Sequence, residues 1–114
     1  MPDHPKPDPA FQSDAWLLLG IINSLPGRLQ LKNGRLRFAA LNFGTLWKKD
    51  LKKLEQKTGI GGLAQRLEND QATLLFDVDI HSIQKMHFPF YYFSCGMHLT
   101  VNDLKYRFSF IRPN

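Results

Sequence analysis

Asn33-Gly34, standing between the alternating apolar runs of "LQLKNGRLRF" (29–38), constrains the fold of this chain more than any other pair of residues in it. A two-residue loop of this type makes a tight hairpin turn and sets the register of the strands on either side. It puts Lys32 opposite Arg35, Leu31 opposite Leu36 and Gln30 opposite Arg37. Leu29, Leu31, Leu36 and Phe38 then share an inner face. The other face receives Arg28, Lys32, Arg35 and Arg37, four cations with no acid of the hairpin among them. Like charges directly opposite each other destabilise a sheet. Such a face is either fully wet, where the repulsion is small, or made to meet an anion.

A second hairpin can be checked the same way. With Asn102-Asp103 in the turn of "GMHLTVNDLKYRFSFI" (96–111), Val101 faces Leu104, Leu99 faces Tyr106, Met97 faces Phe108 and Cys95 faces Phe110. Every pair on that face is apolar. The opposite face pairs Thr100 with Lys105 and His98 with Arg107. A slip by one residue would mix the faces, so the register is well specified.

Between these hairpins the period changes. "TLWKKDLKKLEQKTG" (45–59) predicts a helix with Thr45 as N-cap and Gly59 just past its end. Trp47, Leu51 and Leu54 form one apolar stripe, and Ile60, Leu63, Ala64 and Leu67 a second short helix. Residues 45–69 thus read as a helical insertion. Strands are expected over 16–23, 28–32, 35–41, 72–80 and 87–94, with "SLPG" (24–27) as a turn. Prolines at 2, 5, 7 and 9 block helix and make residues 1–14 a flexible leader to a single domain at 15–114. The sum is a mainly β (α+β) chain of seven short antiparallel strands, arranged as a small barrel or a sandwich, with one helical insertion after the third.

The motifs resemble those of the PH-like superfamily, in particular GRAM and bacterial PH-like domains. The resemblance rests on "GRLQLKNGRLRF" (27–38), "LLFDVDIHSIQKM" (74–86) and the final hairpin with Tyr106 and Phe108. It implies a small antiparallel barrel and a binding role without catalysis, toward phosphoinositides, other anionic lipids or proteins. Domains of this family usually close one barrel end with a C-terminal helix. Here the chain stops at Asn114, and the insertion is expected to cover that end with Trp47, Leu51 and Leu54.

Charge points to the partner classes. Lys and Arg number 15 against 10 Asp and Glu, a net charge of +5, which favours acidic partners. The candidate ligand-binding residues are Arg28, Lys32, Arg35 and Arg37 on the hairpin, and Lys48, Lys49, Lys52 and Lys53 on the helix. Beside Trp47, the helical lysines would suit an anionic membrane surface. The plain alternative is a wet face on a helix whose stripe packs inward. A protein partner or nucleic acid would also be drawn to the cationic hairpin. Asp77, Asp79 and His81 share one face if their strand continues, which would allow a divalent metal and acid–base chemistry. "FPFYYF" (88–93), apolar on both faces, suggests coverage by the insertion, a homodimer surface or base stacking, the last weakened by its lack of cations.

Several classes are disfavoured. The run "AWLLLGII" (15–22) is too short to span a bilayer, and the acidic, proline-rich residues before it are unlike a signal peptide. A single cysteine, Cys95, rules out an intrachain disulfide framework and suggests a reducing, cytoplasmic setting, with peripheral attachment at an inner membrane surface. No P-loop, dinucleotide glycine pattern or serine elbow is present, so neither a cofactor nor catalytic residues are expected.

Overall fold

A computed structural model of the chain describes residues 10–19, 23–42, 46–87 and 96–112. These residues contain seven antiparallel strands in one sheet: β1 (Phe11–Leu19), β2 (Asn23–Lys32), β3 (Arg35–Ala40), β4 (Thr73–Asp79), β5 (Lys85–His87), β6 (Gly96–Val101) and β7 (Leu104–Ser109). The strand order is β4-β3-β2-β1-β7-β6-β5. Two helices, α1 (Lys48–Thr58) and α2 (Leu63–Glu68), stand between β3 and β4. The mainly β class, the strand number and the place of the helical insertion are those the sequence pattern predicts. Among the described residues no ladder joins β4 to β5, so the sheet does not close into the expected barrel. No helix among them is long and apolar enough to cross a membrane.

Both hairpins take the predicted registers. Lys32 pairs with Arg35 and Leu31 with Leu36, while Val101 pairs with Leu104 and Met97 with Phe108. The turns have left-handed backbone at both central positions, with φ of 54° and 73° at Asn33 and Gly34 and of 52° and 64° at Asn102 and Asp103. Asn and Asp tolerate this region better than other side-chain-bearing residues, which lets the second turn form without glycine. Cys95, expected opposite Phe110, lies outside the described residues.

The first two strands differ from expectation. β1 begins at Phe11 rather than Trp16, so Phe11–Asp14 belong to the sheet and not to a leader. The proline run ends at Pro9, and every residue of β1, from Phe11 to Leu19, can donate to a ladder. "SLPG" is not a turn but the opening of β2. Pro26 fits there because its carbonyl accepts from Leu41 N at 2.9 Å, just past the last β2–β3 pair, Gly27–Ala40. The donor it lacks would point to that same side, where the ladder has ended.

The sheet curls around one core. Phe38 of β3 meets Phe108 of β7 edge-on at 4.8 Å between centroids, and Phe76 of β4 lies 5.2 Å from Tyr106 of β7. A register shift between Phe38 and Ala39 lets both Leu75 and Phe76 of β4 turn inward. The insertion completes this core: Leu51 and Leu54 of α1, and Leu63 and Leu67 of α2, are buried in the same cluster as the strand residues. Gly59 ends α1 in the left-handed conformation and donates to Glu55 O at 2.8 Å. The Glu55 side chain in turn accepts from Ala64 N at 3.2 Å and ties the two helices together.

Trp47 does not join the apolar stripe. It is the residue before α1, in extended backbone (φ −79°, ψ 157°), and 74% of it is exposed. Outside the helix, it is not carried on the face that Leu51 and Leu54 share. Thr45, the expected cap, lies outside the described residues, and Trp47 makes no side-chain cap. The strand expected over 87–94 is described only at its start: β5 covers Lys85–His87, and residues 88–94 lie outside the described part.

Candidate functional site

The hairpin face is less cationic than its own two strands suggest, because the flanking strands supply acids. Arg28 pairs with Asp14 of β1 at 3.2 Å. Arg35 Nε meets Asp77 Oδ1 of β4 at 2.9 Å, and Arg37 meets Asp77 Oδ2 at 3.0 Å. Arg35 also donates to the Asp77 carbonyl at 2.9 Å. The hydrogen bond from Arg35 and the charges of both guanidiniums hold the Asp77 carboxyl below the usual carboxylate range, against a smaller opposing effect of desolvation. Asp79 stands directly opposite Arg35 in the β3–β4 ladder. Among the described residues, Lys32 is the one cation of the four with no ion pair. An anion approaching Arg35 and Arg37 must compete with Asp77 for both guanidiniums.

The α1 surface is different. Lys48, Lys49, Lys52 and Lys53 are all exposed, and none makes an ion pair among the described residues. Lys48 lies one turn from Lys52, and Lys49 one turn from Lys53, pairings that cost a helix a few tenths of a kcal/mol each (~0.2–0.5). Lys48 and Lys49 also occupy the positive end of the helix dipole. Exposed Trp47 stands beside them. Lys57, at the other end of α1, is used structurally: its Nζ donates to Lys105 O at 2.9 Å and lies 5.3 Å from the Tyr106 ring centre. Burial, and then the nearby Arg107 charge, push its pKa down.

The candidate metal set does not assemble. β4 stops at Asp79, whose Oδ1 accepts from His81 N at 2.8 Å and starts a 3-10 turn over Ile80–Ser82. His81 therefore leaves the strand face on which Asp77 and Asp79 sit. No group of three or more metal-binding side chains occurs among the described residues. Residues 88–93, the expected dimer or stacking strand, lie outside them.

One basic surface escapes sequence reasoning. β5, β6 and β7 place Lys85, Thr100 and Lys105 in one cross-strand row and His87, His98 and Arg107 in the next. All six belong to the outer face, since Met97, Leu99, Val101, Tyr106 and Phe108 of the same strands are buried. The final hairpin alone predicts the Thr100–Lys105 and His98–Arg107 pairs. Lys85 joins only because the chain enters the sheet two residues before the expected start at 87, and His87 joins at that start. The imidazole rings of His87 and His98 stand 6.0 Å apart. Burial, then Arg107 and then His87 push the His98 pKa down.

No family model, no curated protein and no solved structure matches this chain.

Proposed function

We propose that this chain is a non-enzymatic binding module that docks on an anionic membrane surface through the N-terminal half of α1. Trp47 enters the headgroup region, and Lys48, Lys49, Lys52 and Lys53 meet the lipid charge. This agrees with what the PH-like resemblance implies, but moves the contact from the hairpin to the helix. The observation that carries the reading is Trp47, 74% exposed among four lysines that have no acid partner among the described residues.

The magnitudes suit peripheral, reversible binding. A basic side chain near an anionic leaflet contributes about 1 kcal/mol, so the four lysines supply ~4 kcal/mol. Removing most of an exposed Trp from water adds ~3 kcal/mol at about 25 cal/mol per Å². The helix itself is held by Leu51 and Leu54 in the core, so it need not fold on the membrane.

The test is co-sedimentation of the full chain with vesicles of phosphatidylcholine, with and without phosphatidylserine, across a salt series. Binding is expected only with phosphatidylserine and should weaken with salt. Trp47→Ala should weaken it ~100-fold, following from ~3 kcal/mol. Changing Lys48, Lys49, Lys52 and Lys53 to Gln, which keeps helix propensity, should abolish it. Changing Arg28, Lys32, Arg35 and Arg37 to Ser should have little effect. Unchanged vesicle binding by the helix variant would overturn the reading. So would capture of an oligonucleotide, rather than vesicles, by the same lysines.

A further inference from the structure

We propose that the cleft between β4 and the β6–β7 hairpin binds a monocarboxylate with a compact apolar body, of the size of a medium-chain fatty acid, with its head on Lys57 and Tyr106. The cleft exists because the sheet stays open. Among the described residues no ladder joins the β4 edge to the other end of the sheet, and the last turn of α1 lines the gap. The space measures about 490 Å³, within the ~300–1,000 Å³ of small-molecule sites.

The walls suit an alkyl or aryl body. Phe76 of β4 and Val101 of β6 are buried, while Val78 of β4, Leu104 of β7 and Ile60 beyond α1 are only partly buried and keep apolar surface open to the cleft. Covering that surface with an apolar ligand contributes about 25 cal/mol per Å².

Two donors mark where the head sits. Tyr106 lines the cleft and is only 3% exposed, yet its hydroxyl makes no hydrogen bond among the described residues. A buried phenol ordinarily finds a partner, because an unmade bond leaves its desolvation uncompensated. Burial pushes its pKa up, so it remains an O–H donor. Lys57 is more exposed and stands at the mouth, its Nζ 5.3 Å from the centre of the Tyr106 ring. One N–H goes to Lys105 O at 2.9 Å, which leaves two. No carboxylate among the described residues forms an ion pair with it.

The charge of the lining selects the head group. Among the described residues that line the cleft, Lys57 is the one cation, which suits one negative charge rather than the two of a phosphate monoester. Asp77 also lines the cleft, but its carboxylate is held by Arg35 and Arg37. An amine would thus meet the Lys57 charge without a free acid to offset it. The site lies at the opposite end of α1 from Trp47 and does not depend on the membrane reading.

The experiment is a two-dimensional NMR titration of the ¹⁵N-labelled full chain with sodium octanoate, octylammonium chloride and sodium acetate. Octanoate should bind saturably at about 1 mM or tighter, with shifts centred on Thr58, Gly59, Val78 and Asn102. Octylammonium lacks the negative head and acetate the apolar body, so neither should saturate. Tyr106→Phe keeps the ring packed on Phe76 and Phe108 and should weaken octanoate binding about tenfold or more. Lys57→Met keeps the apolar stem and should weaken it about 10–100-fold. The same spectra show whether each variant is folded. Changing Lys48, Lys49, Lys52 and Lys53 to Gln should leave octanoate binding as in the parent, so this site and the membrane contact fail independently. Shifts that do not saturate, shifts centred elsewhere, an equal response to octylammonium, or unchanged affinity in either folded variant would each overturn the proposal.

Discussion

Gly27 provides a sharp test of the packing, because backbone propensity and local space predict opposite signs. Its φ lies outside the left-handed region, so alanine could adopt the same backbone. Replacing glycine by alanine at such a strand position ordinarily stabilises by about 0.5–1 kcal/mol through the unfolded chain. Here, however, an added Cβ would come 2.3 Å from Ala39 O and 2.6 Å from the Phe38 ring. Phe38 is fully buried and its ring covers the space a side chain would need. Overpacking of a close-packed site costs about 1–3 kcal/mol, and the upper end applies because the nearest obstacle is backbone. The net expectation for Gly27→Ala is destabilisation by ~2 kcal/mol. Urea unfolding followed by tryptophan fluorescence should show the midpoint lowered by ~1 M with an unchanged slope, for a slope of about 2 kcal/mol per M. Phe38→Leu removes the ring but not Ala39 O. In that background Gly27→Ala should cost less, yet still more than nothing. A neutral or stabilising Gly27→Ala would refute the reasoning.

Other positions test other parts of the fold. Leu51→Ala should cost about 2–5 kcal/mol in the same unfolding assay if α1 shares the sheet's core; a cost under ~1 kcal/mol would mean that the insertion is only loosely attached. Asn42 is buried, and its Oδ1 accepts from Leu46 N at 2.9 Å at the approach to α1. Asn42→Ala should therefore cost about 1–3 kcal/mol by orphaning that donor, read as a lowered unfolding midpoint. His98 titrates lower in the folded chain than its ordinary 6.5. The unfolded chain then binds more protons, so stability from this group is full above that value and is lost as pH falls through the folded one. Thermal unfolding between about pH 7 and pH 5 should show that slope, and His98→Gln should flatten it.

Short-range chemistry was legible and long-range adjacency was not. Asn33-Gly34 and Asn102-Asp103 announce both hairpins, and the alternation around them sets both registers. Leu51, Leu54, Leu63 and Leu67 announce the buried sides of the helices. Ser24–Gly27 misled because Pro and Gly mark turns in most contexts. Here Pro26 sits where the β3 ladder ends, and Gly27 sits under Phe38. Trp47 misled because i, i+4 spacing assumes that the helix has begun, and it begins one residue later. The charge of the hairpin face was visible, but the acids that answer it come from Asp77, 42 and 40 residues from Arg35 and Arg37, and from Asp14, 14 residues from Arg28. Only the strand order brings them together.

This strand order makes Asp77 the carboxylate that an anion would have to displace from Arg35 and Arg37. An exposed ion pair contributes little to stability, about 1 kcal/mol or less. As a competitor for a ligand it matters more, because one carboxylate occupies Arg35 Nε and an Arg37 terminal nitrogen together. Asp77→Asn keeps the shape of the side chain and removes its charge. Arg35 and Arg37 would then stand with Lys32 as three cations on one small surface, with Asp79, whose Oδ1 already accepts from His81 N, as the remaining acid beside Arg35. The variant should gain salt-sensitive affinity for phosphatidylserine vesicles in a background where the four α1 lysines are Gln, whereas the same background with Asp77 intact should bind none. The acid limb of the stability profile supplies the control. Asp77 titrates below the ordinary carboxylate range, so its contribution is present above about pH 4 and is lost as pH falls through the folded value; in Asp77→Asn that part of the limb should vanish. A variant that loses the acid limb yet gains no anion affinity would show that the arginines are merely wet, and that Asp77 does not govern what this face can bind.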